Sequence, residues 1–297
     1  MRIVLVNVSA RLSSDGSRLI SALLKRAGHK VRIVFMGRPE PLRYSIRELE
    51  QLTEVFSDAD LAMIAVYSSY AIRAVQVTDF LREKFPGMKV IWGGPHCVSV
   101  PELCLRYADG VCFSEGDEAV IDFVNRMEQG KDYEKTPNMA FRVDGKYVIN
   151  EVLKPFSELD SLPNYDYDLQ DHFLLDINLT PMNKEKLRER LAGYPYYIPI
   201  LYMITSRGCP HMCSYCNNCR YLSMFGRNSV RFYSVDRIID ELKITLNRYS
   251  FINFVGFGDD DFFIRPLVQI EEFAEKYKKE IGLPFGVALS ADTFSDK

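Results

Sequence analysis

The chain has 297 residues, 47% of them hydrophobic and 26% charged, a composition that belongs to an ordinary globular protein and excludes a disordered or fibrous one. Lys and Arg number 37 against 40 Asp and Glu, so neither nucleic acid nor an anionic membrane surface is an expected partner. The longest apolar run, Leu61 to Tyr67, is far short of a membrane span, and the chain opens on a strand pattern with no signal peptide.

Met1 to Val8 is a nearly unbroken apolar run of strand length, the pattern of a strand covered on both faces. A polar loop follows, and then a helix is predicted from Ser17 to Ala27, stopped by Gly28. Further strands are predicted at Val31–Phe35, Leu61–Val66, Lys89–Trp92 and Gly110–Phe113, with helices at Ile72–Lys84 and Asp117–Glu128. Short buried strands alternating with helices predict an α/β fold with a parallel, flavodoxin-like sheet over residues 1–130.

That rhythm stops between residues 131 and 200. Met139–Val143 and Lys146–Asn150, separated by Asp144-Gly145, predict a hairpin with a two-residue turn. The Pro- and Tyr-rich runs Leu162–Leu169 and Tyr194–Pro199 then predict a linker and not a domain. From residue 201 the βα alternation resumes. A strand at Ile200–Ile204 is followed by a helix at Val235–Asn247, a strand at Phe251–Phe257, a helix at Pro266–Lys279 and a strand at Phe285–Leu289.

The most specific run is T-S-R-G-C-P-H-M-C-S-Y-C, Thr205 to Cys216, immediately after the first of those strands. Cys209, Cys213 and Cys216 form a C-x3-C-x2-C array, and three close neighbours in one loop have no good disulfide pairing. They can hold one metal centre. In a [4Fe-4S] cluster, three Cys leave one iron without a protein ligand, open to a cofactor or substrate. Two alternatives remain open: with Cys219 as fourth ligand the set could close a tetrahedral zinc site, or cap the fourth iron of an electron-transfer cluster. The other three thiols, Cys97, Cys104 and Cys112, fall in strand or helix contexts as buried Cys, and seven unpaired Cys imply the reducing cytoplasm.

This array, with Ser-Arg-Gly before it and Tyr215 ahead of its last Cys, resembles the cluster loop of the radical S-adenosylmethionine (SAM) enzymes. The resemblance implies that the open iron chelates the amino and carboxylate groups of SAM, and that electron transfer then cleaves it to a 5′-deoxyadenosyl radical. It also implies that the backbone near Tyr215 seats adenine, and that Gly258, Asp259 and Asp260 meet the methionine end. The three carboxylates Asp259 to Asp261 could instead bind Mg2+ or Ca2+.

In an open α/β sheet, ligands bind beyond the carboxyl ends of the strands. The residues expected there are the loop Asn7 to Asp15, Ser68, Ser69, Gly93, Gly94, His96, Glu115 and Gly116. The order Gly93-Gly94-Pro95-His96, Pro101-Glu102 and then Ser114-Glu115-Gly116-Asp117-Glu118 resembles the cobalamin-binding domain that precedes many radical SAM domains. Those relatives usually show Gly-Glu-Gly-Glu in the last motif, so Ser114 and Asp117 depart from the pattern. No His lies between Val8 and Gly28, so the resemblance implies cobalamin bound without a His ligand. A corrin tail needs small residues along its path, and Gly94→Leu is expected to block it while leaving the fold intact.

The family's barrel has six βα units. The 97 residues from Leu201 to Lys297 supply about three strands at roughly 30 residues per βαβ unit, so residues 201–297 are expected to be the first half of a truncated barrel. The resemblance implies a cobalamin-dependent, iron-sulfur radical SAM enzyme, as a fragment, and a methyltransferase acting on an unactivated carbon or phosphorus centre. Its partners would be a small-molecule or natural-product substrate and an electron donor such as flavodoxin or ferredoxin. A cyclase or rearrangement enzyme of the same architecture, a non-catalytic cobalamin carrier and an electron-transfer protein are the alternatives.

Overall fold

A computed structural model describes every residue except 10, 14, 39–42, 194–196, 292 and 294–297. Parts of the predicted Asn7 to Asp15 loop and of the Tyr194 to Pro199 run therefore lie outside the described residues. The chain divides into two compact units, one of residues 1–156 and 168–182, the other of 157–167 and 183–297.

The first unit is built on nine strands: β1 (Arg2–Asn7), β2 (Lys30–Met36), β3 (Leu61–Ala65), β4 (Lys89–Gly93), β5 (Gly110–Cys112), β6 (Met139–Val143), β7 (Lys146–Ile149), β8 (His172–Leu175) and β9 (Leu179–Pro181). Their order across the sheet is β7-β6-β5-β4-β3-β1-β2-β8-β9. The six central strands, β5 through β8 in that order, run parallel, and antiparallel strands close the two edges. Val4, Val6, Val34, Ile64, Trp92 and Val111 lie buried in one cluster on the sheet. The Trp92 indole N–H, fully enclosed there, donates to Thr78 Oγ1 at 2.9 Å, so its one polar group is satisfied.

The predicted hairpin forms, with Asp144 and Gly145 at φ +49° and +77°, the positive values that a tight two-residue hairpin turn requires. It is part of the sheet, since β6 pairs with β5. The linker reading of residues 131–200 needs correction in the same way. β8, with β9 folded back on it, extends the sheet beside β2, and a helix follows at Lys184–Leu191. Strand β8 is only four residues, His-Phe-Leu-Leu, too short for period or composition to announce it within a Tyr-rich stretch. Four short helices, Ile46–Glu50, Leu52–Phe56, Pro95–Ser99 and Pro101–Cys104, were likewise not predicted.

The second unit carries β10 (Ala192–Gly193), β11 (Ile198–Met203), β12 (Ser206–Arg207), β13 (Arg231–Phe232), β14 (Phe254–Phe257) and β15 (Phe285–Val287). Strands β11, β14 and β15 are parallel neighbours, β10 flanks β11 antiparallel, and β12 pairs with β13. Helices Val235–Arg248 and Leu267–Glu280 connect the parallel strands. Ser234 caps the first of them, its hydroxyl accepting the Arg237 N–H. Residues 157–167 are strapped to that helix: Glu241 accepts the Tyr165 N–H at 2.7 Å and Tyr249 donates to the Tyr167 carbonyl at 2.6 Å. Burial raises the Glu241 pKa, and the paired Arg237 opposes the shift.

Among the described residues no helix is long and apolar enough to cross a membrane.

Candidate functional site

In the second unit, β11 delivers the chain directly into Thr205 and the Cys-bearing loop. Gly208 sits at φ +85°, and a Cβ there would stand 3.1 Å from the Ser229 carbonyl oxygen. Only glycine satisfies both conditions, which explains its place before Cys209. Beyond it a tight turn joins Cys213 to Cys216, whose N–H donates to the Cys213 carbonyl at 2.9 Å. A helix, Asn218–Phe225, which the sequence reading missed, starts immediately after.

Cys209 is buried, Cys213 exposed, and Cys216 and Cys219 are between the two. The Cys216 sulfur accepts the Asn218 N–H at 3.5 Å. The Cys219 thiol is turned to the Cys213 carbonyl at 3.1 Å. Burial pushes the Cys209 thiol up, a backbone hydrogen bond at His211 opposes this, and the Asp260 and Asp261 charges add to it. Among the described residues no three His, Cys, Asp or Glu side chains already stand in metal-ligand geometry. The fit to an iron-sulfur cluster lies in the donor set: three soft thiols within one loop, with a fourth engaged elsewhere.

The Asp triplet follows β14, and its members do different things. Asp259 is buried and its two oxygens accept from Thr205 N (2.8 Å), Thr205 Oγ1 (2.8 Å) and Ser206 Oγ (2.6 Å). It ties the start of the Cys loop to β14. Asp261, also buried, faces His211 Nε2 at 3.1 Å and accepts from Thr293 Oγ1 at 2.9 Å and from the Phe263 N–H at 3.1 Å. Asp260 is exposed. Protein packed around its carboxyl still raises the pKa, a hydrogen bond from Asn218 opposes this, and the Asp259 charge adds to it. Gly258 is exposed, and Tyr215 is 91% exposed.

Arg265 and His211 were not singled out from the sequence, and Asp261 only as one of three carboxylates for a divalent cation. Buried Arg265 donates to the Thr205 carbonyl (2.6 Å) and hydroxyl (2.9 Å) and to the Tyr233 carbonyl (2.9 Å). Burial lowers its pKa, and the nearby Asp259 charge opposes that. A lone Arg eight residues beyond the strand carries no sequence signal for such a role. Beyond the Asn218–Phe225 helix, Arg227 contacts the Met212 sulfur at 2.9 Å and Arg231 the Ser229 carbonyl at 2.8 Å.

In the first unit, β3, β4 and β5 are parallel neighbours, so Ser68 and Ser69, Gly93 to His96, and Ser114 to Gly116 all follow the same ends of adjacent strands. Ser68 and Ser69 are exposed, and the Ser68 hydroxyl lies 3.0 Å from His96 Nδ1. Partial burial lowers the His96 pKa. Glu115 is committed to the fold: its carboxylate accepts the Phe156 N–H at 2.9 Å and its carbonyl accepts from Asn138.

The Gly94→Leu expectation is corrected by the structure. Gly94 has φ +96°, and a Cβ there would meet the Val66 carbonyl oxygen at 3.0 Å and the Val66 nitrogen at 3.1 Å. That glycine packs backbone on backbone, and a leucine would strain the turn. Gly93 differs: a Cβ there would lie 3.7 Å from Cys112 Cβ, at ordinary contact.

Residues 1–124 match the B12 binding domain model and residues 203–295 match that of the radical SAM superfamily. The chain carries a B12 binding domain followed by a radical SAM domain. The family implies cobalamin, SAM and a [4Fe-4S] cluster as cofactors. The chain is 27% identical over 280 residues to the uncharacterized methyltransferase PH0819 of Pyrococcus horikoshii, covering 93% of this chain and 55% of that protein. It is 22% identical over 208 residues to TokK, a cobalamin-dependent radical SAM methyltransferase of Streptomyces tokunonensis, covering 69% of this chain and 28% of TokK. Among solved structures, the cobalamin-dependent SAM radical enzyme OxsB, with aqua-cobalamin and SAM bound, superposes with a TM-score of 0.74 at 16% identity. That match covers 98% of this chain and 39% of OxsB, and at such identity it speaks for the fold. The chain thus spans about half the length of the first relative and less of the others.

The thiols of this chain divide by environment. Burial holds the Cys97 thiol well above its ordinary range and pushes Cys112 up to about 12, whereas Cys213 is exposed. In metal-free, reduced protein at pH near 8.5, iodoacetamide is expected to modify Cys213 first and to leave Cys97 and Cys112 unmodified until the protein is denatured. Peptide mass mapping reads the order, and early labelling of Cys112 would contradict the burial described.

Proposed function

We propose that the chain is the cobalamin- and cluster-binding part of a radical SAM methyltransferase acting on an unactivated carbon or phosphorus centre of a small molecule. One observation carries this reading: the C-x3-C-x2-C loop stands at the carboxyl end of β11, anchored by Asp259 and Arg265, with its thiols outside that anchoring network. The methyltransferase names of PH0819 and TokK support methyl transfer as the reaction class. When bound, the cluster would supply the electron that cleaves SAM, and cobalamin would supply the methyl group.

Cys209, Cys213 and Cys216 would hold three irons, and Cys219 would stay out of the set because its thiol already donates to the Cys213 carbonyl. The backbone near Tyr215 would take adenine. Gly258 and Asp260 would meet the amino end of SAM, since Asp259 has its oxygens filled by Thr205 and Ser206. In the first unit, Ser68, Ser69, Gly93, His96 and Gly116 would border the corrinoid. Gly94 and Glu115 would hold the turns that present them. The reading includes a flavodoxin or ferredoxin as electron donor, a natural-product or similar small substrate, and the cytoplasm, because clustered thiols need a reducing compartment.

Anaerobic reconstitution is expected to give about four irons and about four sulfides per chain. Cys209→Ala, Cys213→Ala and Cys216→Ala should each abolish uptake, and Cys219→Ala should retain it. Loss of iron in the Cys219 variant, or stoichiometric zinc in protein purified without oxygen, would sink the three-Cys assignment.

Cobalt is expected to lack a His ligand. The four His residues are His29, His96, His172 and His211; His29 is buried against the Met1 amino group, His172 is buried in β8, and His96 contacts the Ser68 hydroxyl. The electron paramagnetic resonance spectrum of the bound Co(II) form should then show no axial nitrogen splitting. Splitting that disappears in His96→Ala would overturn the assignment.

A further inference from the structure

We infer that the Ser114 hydroxyl is a hydrogen-bonding contact of the bound corrinoid, which rests on the cobalamin reading above. Ser114 is 7% exposed, and its Oγ has no hydrogen-bond partner within the protein. Buried hydroxyls are nearly always paired, because leaving one unmade forfeits its bonds to water and gains nothing in return. One without an internal partner points to something that binds from outside.

Its place in the fold says what that something is. Ser114 follows β5 where the carboxyl ends of β3, β4 and β5 line up. Cys112, the last residue of β5, lies two residues before it. A Cβ at Gly93 would meet only Cys112 Cβ, at 3.7 Å, whereas one at Gly116 would meet Ile20 Cδ1 and Val120 Cγ2, each at 3.3 Å, so the open room beside β5 is at Gly93. Neither glycine supplies a side chain that could pair with the hydroxyl. The pattern this motif resembles has glycine where Ser114 stands, so the chain has added a hydroxyl there and given it no internal partner. A corrinoid offers the matching chemistry, since its amide side chains and nucleotide tail carry both acceptors and donors, and a serine hydroxyl can serve either.

Hydroxocobalamin titrated into the full chain, with melting temperature measured in its presence and absence, tests this. Ser114→Ala should bind about 3- to 10-fold more weakly, the loss of one neutral hydrogen bond. Its melting temperature without ligand should equal or exceed that of the parent, because no internal bond is lost. Ser114→Cys, of similar size with a weaker donor, should fall between the two. Equal affinity across the three proteins would overturn the inference while leaving the cobalamin reading intact. A ligand-free melting temperature that falls with affinity would overturn it too, by showing a structural role. Failure of the parent chain to bind hydroxocobalamin would overturn the functional reading and this contact with it.

Discussion

Parallel strands impose the constraint on which the rest depends. Neighbouring parallel strands end on the same side, so the segments that follow them converge however far apart they lie in sequence. In the first unit this brings together Ser68, Gly93 and Ser114, each just beyond or at the end of one of three adjacent strands. In the second it brings Thr205, which follows β11, to Asp259, which follows β14, across 54 residues. The central strands β1 to β5 of the first unit are largely buried, as expected where both faces of a parallel sheet are covered. Chemistry is confined to the rim.

Within the second unit, charge is used mainly to fix a loop. Asp259 receives three hydrogen bonds from Thr205 and Ser206, and Arg265 grips the other side of Thr205 through its carbonyl and hydroxyl. Charge-assisted bonds of this kind are stronger and more directional than neutral ones, and burial protects them from screening. Losing Asp259 would leave Arg265 as a buried cation without its nearest counter-charge, which is far costlier than losing an exposed pair. The network hardens the stem of the Cys loop and leaves the thiols beyond it. Such an arrangement suits a loop that must hold a cluster in one position.

Much of the fold was legible because buried parallel strands write themselves as apolar runs. β1, β3 and β4 needed no more than that, and the Asp144-Gly145 pair announced its hairpin. β8 and the short helices around Pro95 and Pro101 were not legible, because four or five residues carry too little pattern and their stability comes from tertiary packing. The Cys motif was readable from its spacing. The division of labour within Asp259, Asp260 and Asp261 was not, since three adjacent carboxylates look alike until the side chains that face them are known. Gly94 shows the same limit. Its sequence suited a ligand path, yet the backbone of Val66 occupies the space beside it.

The central claim is that three Cys residues leave one iron open, and SAM itself tests it most directly. Electron paramagnetic resonance of the reconstituted, dithionite-reduced protein should show a [4Fe-4S]+ signal whose g values shift when SAM is added, because SAM occupies the open iron. An unchanged signal in the presence of saturating SAM would mean the fourth iron is already capped, and would contradict the account.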